Sequence, residues 1–173
     1  MSQNLMSWAD FQGGPLIRLI SYMDPDVCLA RHTDPPPPEV PPGYSQPHPL
    51  SDTAAVRRRS LGDAGNSQVL RVSPNGEGTF NLICGANDQL GLFFWQDGQV
   101  LMYDNLAGWI EETDLLFSID WVKGGPPWFA LNNSSHSQVA DISGGDTTQD
   151  NDILSWSWNG GANQIWRAEL FSG

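Results

Sequence analysis

A large apolar residue recurs at Leu70, Phe117 and Trp166, at intervals of 47 and 49 residues, each time third in a short segment: Gln68-Val-Leu70, Leu115-Leu-Phe117 and Gln164-Ile-Trp166. A near-constant period of this size marks an internal repeat, in which one supersecondary unit cannot bury its apolar face alone and must pack on its copies. The first two segments each lead through a turn-rich hinge, Val72-Ser-Pro-Asn-Gly76 or Trp121-Val-Lys-Gly-Gly125, into a fresh apolar run at 79–84 or 128–131. The copies run approximately over 14–76, 77–125 and 126–173, within a single domain at 1–173. A chain of 173 residues suffices for one substantial core and not comfortably for two.

Within a copy the apolar runs are short and bounded by Gly, Asn, Asp and Ser, which predicts strands in hairpins, and no helix-length amphipathic stretch competes. Strands are expected near 15–20, 26–30, 54–58 and 68–73 in the first copy. The second offers 79–84, 90–95, 99–103 and 115–121, and the third 128–131, 138–142, 153–157 and 164–170. That makes an all-β chain, and antiparallel strands that must avoid open edges close into a barrel. Leu70, Phe117 and Trp166 are its expected core residues at equivalent positions.

The charge balance narrows the partners. With 8 basic against 20 acidic side chains the formal charge is −12, which repels phosphate backbones and anionic headgroups, so nucleic acid and membrane insertion are not expected. No apolar run approaches spanning length, and the first ten residues lack the features of a secretory signal, so a cytoplasmic protein is expected. The basic cluster Arg57-Arg-Arg59 reads as a solvated loop face, with a kinase site at Ser60 as the less favoured reading. Cys28 and Cys84 read as buried thiols, and the scattered His32, His48 and His136 give no metal spacing; no cofactor is expected. The acidic loop 144–152 lacks the order of an EF-hand and reads as a solvated hairpin loop.

One segment breaks the repeat. The proline-rich stretch at 34–49 cannot supply ladder donors and is expected as an extended surface insertion in the first copy. Within it, Pro41-Pro-Gly-Tyr44 matches a WW-domain ligand pattern, although four residues in such a loop match easily by chance.

Val139-Ala-Asp-Ile-Ser143, Ile153-Leu-Ser-Trp-Ser-Trp158 and Asn163-Gln-Ile-Trp166, in that order, resemble a ricin-B-type carbohydrate-binding repeat of the β-trefoil fold, and the architecture is similar to small fungal fruiting-body lectins. The resemblance implies a β-trefoil of twelve strands in three pseudo-repeats, with the Trp of the Gln-x-Trp motif in the core. It also implies a site in the third copy. Asp141 would accept hydrogen bonds from two vicinal sugar hydroxyls, and Asn163 would bond one of them. Trp156, fifteen residues after Asp141, would stack on the ring, Gln164 would fix the carboxylate, and the backbone at Gly144 would complete the rim. Trp158 shares the face of Trp156 by alternation, and the spacing favours Trp156. The eight Trp of the chain leave a surplus over core needs that suits such stacking. Turn formation is the alternative reading of Asp141 and Asn163.

The other copies lack the acid. Ala30 stands in its place in the first copy and Leu92 or Phe93 in the second, where Thr113-Asp114 precede Leu115. One site implies weak binding, which a homodimer would raise. The expectation is a lectin for galactose or N-acetylgalactosamine glycans and not an enzyme, with a surface carboxylate at Asp141 whose removal leaves the thermal midpoint nearly unchanged. A β-trefoil protease inhibitor acting through the 34–49 or 144–152 loop is the main alternative, and a glycan-targeting subunit of a toxin or enzyme complex is another.

Overall fold

The computed structural model describes residues 4–5, 7–32, 52–58, 67–76, 78–85, 90–94, 98, 100–104, 115–133 and 137–171. The proline-rich stretch at 34–49, Ser60 and residues 113–114 lie outside the described residues. Among the described residues there are twelve strands in one sheet system. They are β1 (Leu16–Ser21), β2 (Val27–His32), β3 (Asp52–Arg58), β4 (Leu70–Pro74), β5 (Phe80–Cys84) and β6 (Leu90–Phe94), followed by β7 (Val100–Asp104), β8 (Phe117–Trp121), β9 (Phe129–Asn133), β10 (Gln138–Ile142), β11 (Ile153–Ser157) and β12 (Trp166–Leu170).

Antiparallel pairing closes a ring: β1 with β4, β4 with β5, β5 with β8, β8 with β9, β9 with β12, and β12 back to β1. Two-residue alternation drives this closure. Phe80, Leu82 and Cys84 of β5 are buried, whereas Asn81 and Ile83 between them are half-exposed. On β4, Leu70 and Val72 face the core and Arg71 faces out. The hairpins β2–β3, β6–β7 and β10–β11 each attach to the ring through their first strand. They also meet one another: β3 pairs with β7, Ala55 bridges to Asp152, and the Ser155 amide donates to the Gly98 carbonyl at 2.7 Å.

Leu70, Phe117 and Trp166 occupy matching places in the ring. Leu70 lies opposite Ile17 and Cys84, Phe117 opposite Phe80 and Asn133, and Trp166 opposite Phe129 and Ser21. All three are fully buried. The Trp166 indole also donates Nε1–H to the Ala140 carbonyl at 3.0 Å, which ties β12 to β10.

A short helix and the setting of Arg57 differ from the sequence expectations. A short helix, α1 (Trp8–Gln12), precedes β1 and buries Phe11 against Phe80 and Phe129, with ring centroids 5.4 and 5.8 Å apart. Its start is marked by Ser7 and Asp10, where the Ser7 amide donates to the Asp10 carboxylate at 2.8 Å. Arg57 is on β3 and not in a solvated loop: its Nε lies 3.1 Å from Asp150 Oδ1. The loop after β10 docks there through paired backbone bonds, from the Asp150 amide to the Val56 carbonyl at 2.9 Å and from the Val56 amide to the Asn151 carbonyl at 2.8 Å. Cys28 and Cys84 are buried, and the Cys28 thiol donates to the Arg57 carbonyl at 3.5 Å. No helix among the described residues is long and apolar enough to cross a membrane.

Truncating Trp166 to Ala removes the largest fully buried side chain among the described residues and its hydrogen bond, and should destabilise the fold by roughly 3–5 kcal/mol in chemical denaturation.

Candidate functional site

The site is built where β10 ends and β12 begins. On β10, Ala140 and Ile142 join the main core, so alternation turns Asp141 to the opposite face of the strand. Two short turns converge on it, Ser143–Gly145 after β10 and Ala162–Gln164 before β12. Gln164 was expected within a strand. It ends the second turn instead, because the Gln164 and Ile165 amides bond to the Gly161 and Ala162 carbonyls.

The Asp141 carboxylate is held on both oxygens. Asn163 Nδ2 donates to Oδ1 at 2.8 Å, and Gln164 Nε2 donates to Oδ2 at 2.8 Å. These partners are side-chain amides 22 and 23 residues along the chain, which distinguishes the arrangement from a turn cap. Both Gln164 amide hydrogens are used, since Nε2 also donates to the Ser157 carbonyl at 2.9 Å, and Oε1 accepts from the Asn159 amide at 2.9 Å. Asn163 directs its amide nitrogen to Asp141 and, at 3.4 Å, to the Ile142 carbonyl, which leaves its carbonyl oxygen as an acceptor. Gly161 permits this packing, since a side chain there would collide with the amide oxygens of Asn159 and Asn163.

Trp156 is on the same face of the hairpin. Its register partner is Val139, and Asp141 pairs with Leu154, so Trp156 is the diagonal neighbour of Asp141 across the β10–β11 ladder. Its side chain is 57% exposed. Gly144 lies in the Ser143–Gly145 turn, exposed and with a φ of 61°. The structure therefore brings Asn163 and Gln164 onto the Asp141 carboxylate and sets Trp156 diagonally across the ladder from it. Sequence reasoning missed Asn159, whose Oδ1 accepts from the Gly161 amide at 2.7 Å while its own amide anchors Gln164. The Asn-Gly-Gly turn signal at 159–161 marks the place but not the partner.

Register also identifies the counterparts of Asp141. Val139 pairs back to Asn132 of β9 as Cys28 pairs to Ile20 of β1 and Gly91 to Ile83 of β5. Two residues on stand Asp141, Ala30 and Phe93, all buried. Of Leu92 and Phe93, the pairing selects Phe93, and only the third position carries a charge.

No protein-family profile matches the chain, and no curated protein matches it in sequence. Solved structures do match its shape. A designed 3-fold symmetric protein, ThreeFoil, is similar at a TM-score of 0.66 and 15% identity, over 91% of this chain and 99% of that one. SeviL, solved bound to asialo-GM1 saccharide, matches at a TM-score of 0.58 and 13% identity, over 90% and 96% of the two chains. A proteinase inhibitor from Coprinopsis cinerea matches at a TM-score of 0.64 and 12% identity, over 91% and 98%. Longer chains match too: a mosquitocidal holotoxin is covered over 17% of its length. Together these define the class: an all-β barrel of the β-trefoil fold, shared in shape with a protein solved with a bound saccharide, a proteinase inhibitor and part of a holotoxin.

Contrary to the expectation of a surface carboxylate, Asp141 is only 6% exposed. Asp141→Ala should therefore lower stability by roughly 1–3 kcal/mol, because it leaves two inward-facing amides without their acceptor. Burial pushes the Asp141 carboxyl above its ordinary value of 3.8, and the hydrogen bonds from Gln164 and Asn163 oppose this less strongly. The folded state then holds the proton more tightly than the unfolded chain, so ionisation of this group reduces stability as the pH rises through the raised value, and the effect is absent below the ordinary one. Thermal unfolding of wild type and Asp141→Asn across a pH series should show the wild type losing stability relative to the variant from about pH 4 upward and levelling off once the group is ionised.

Proposed function

We propose that the chain is a carbohydrate-binding lectin of ricin-B type, built as three repeats of four strands, with one site in the third repeat that takes galactose or N-acetylgalactosamine. The observation that carries this reading is the buried Asp141 carboxylate, fixed by two amides beside an exposed indole. Each carboxylate oxygen keeps lone-pair capacity for a ligand hydroxyl, and the fixed geometry spares the cost of ordering the acceptor on binding. Asn163 Oδ1 accepts from one of the same hydroxyls, and Trp156 offers its face to the C–H side of the ring. Gln164 acts through Asp141 and not on the sugar, and the backbone at Gly144 closes the rim.

The proposal is binding without catalysis. Glycoside hydrolysis uses a pair of carboxyl groups flanking the bond, and this site offers one carboxylate already engaged by amides. The inhibitor-like match rests on the fold alone, whereas the aromatic plate beside Asp141 and Asn163 has a use in sugar binding and none in an inhibitory loop. Since Ala30 and Phe93 supply no acceptor, a single chain binds weakly and a homodimer would raise the avidity.

In the galactose configuration the 3- and 4-hydroxyls reach one carboxylate together while a continuous C–H face meets Trp156, an arrangement that glucose lacks. Isothermal titration should therefore give millimolar binding of lactose and N-acetylgalactosamine, about −4 kcal/mol, and none of glucose. Asp141→Asn should weaken the binding by tenfold or more, in keeping with charge-assisted bonds of about 1.5–3 kcal/mol. A preference for glucose, mannose or sialic acid would remove the proposed specificity, and undiminished binding by a folded Asp141→Asn would remove the pocket.

A further inference from the structure

We propose that Trp158 is a second stacking surface, so that the site takes two linked sugars, a terminal galactose-type residue and the neutral ring behind it. The inference rests on the lectin reading above and concerns the class of glycan that the site prefers. Trp158 is 44% exposed, beside Trp156 at 57%. Most large apolar side chains of the described residues are buried in the core, and an indole left in water adds little to stability.

The backbone around Trp158 is nevertheless fixed on both sides. The carbonyl of Ser157, just before it, accepts from Gln164 Nε2 at 2.9 Å, and the amide of Asn159, just after it, donates to Gln164 Oε1 at 2.9 Å. The same Gln164 side chain, fully buried, donates to Asp141 at 2.8 Å. One amide therefore sets the position of the carboxylate and of both peptide groups that flank the exposed indole. Asn159 then closes the following turn by accepting from the Gly161 amide at 2.7 Å. A binding-site aromatic placed in advance loses less freedom when a ligand arrives.

The spacing fits two rings. The Cα atoms of residues two apart lie at most about 7 Å from each other, comparable with the step from one pyranose to the next. Trp156, diagonal to Asp141, takes the ring whose hydroxyls reach the carboxylate. Trp158, two residues farther along the chain, takes the apolar face of the ring attached to it.

Titration of galactose and lactose into the full chain, as wild type, Trp158→Ala and Trp156→Ala, tests this directly. The wild type should bind lactose about 3–10-fold more tightly than galactose, the gain from one added aromatic contact. Trp158→Ala should bring lactose down to the galactose level and leave galactose within about twofold, with the thermal midpoint unchanged because the side chain is exposed; Trp156→Ala should weaken both sugars. An equal loss of both sugars in Trp158→Ala, or an unchanged lactose-to-galactose ratio, overturns the proposal and leaves the lectin reading standing. So does a Trp158→Ala variant that alters only self-association in sedimentation, which would assign the exposed indole to contact with a second copy. A folded wild type that binds neither sugar removes the lectin reading and this proposal with it.

Discussion

Pairing of the first ring strand with the last closes the barrel, and the rest of the architecture depends on it. From Ile17 opposite Leu170 to Ser21 opposite Trp166, β1 and β12 share an unbroken ladder, so the ring has no open edge. Closure gives every ring strand an inside and an outside, and the two-residue alternation of Leu70 and Val72 or of Phe80, Leu82 and Cys84 then fills one interior. It also brings β10 and the start of β12 together, since Trp166 begins the closing strand and donates its indole N–H to Ala140 on β10. Asp141, the next residue, is thereby held where the turn before β12 can reach it.

The site is a local exception to the economy of the core. A carboxylate that is nearly buried loses hydration, and its raised pKa records the cost. Two amide hydrogen bonds offset part of that cost and fix the direction of both oxygens. Gln164 is fully buried and gives both amide hydrogens to Asp141 and the Ser157 carbonyl, so its contribution is positional. Ala30 and Phe93 at the matching places show the cheaper solution, an apolar residue on the same face of the hairpin.

The same barrel serves a designed symmetric protein, a saccharide-bound protein, a proteinase inhibitor and part of a toxin, so the fold leaves function open. What separates the possibilities is the chemistry on one hairpin. The proposed sugar reading rests on a fixed acceptor pair beside the exposed Trp156 indole, which would suit a ligand with adjacent hydroxyls on one side and C–H groups on the other.

The strand positions and the core role of Leu70, Phe117 and Trp166 were legible in the sequence, because they follow from local alternation and from a spacing that recurs along the chain. The runs expected at 138–142 and 153–157 coincide with β10 and β11. Asp141, Asn163 and Gln164 could be singled out through the resemblance of their segments to a carbohydrate-binding repeat, and the structure brings Asn163 and Gln164 within hydrogen-bond distance of Asp141. Their burial could not be read, nor could the packing of Phe11 against Phe80 and Phe129, the docking of Asp150 on Arg57, or the grip of Gln164 on both neighbours of Trp158. Each of these depends on which turns and strands meet after the ring has closed. Sequence thus determined the residue types and the faces they occupy, whereas barrel closure and hairpin docking decided which side chains lost their water and which stayed exposed.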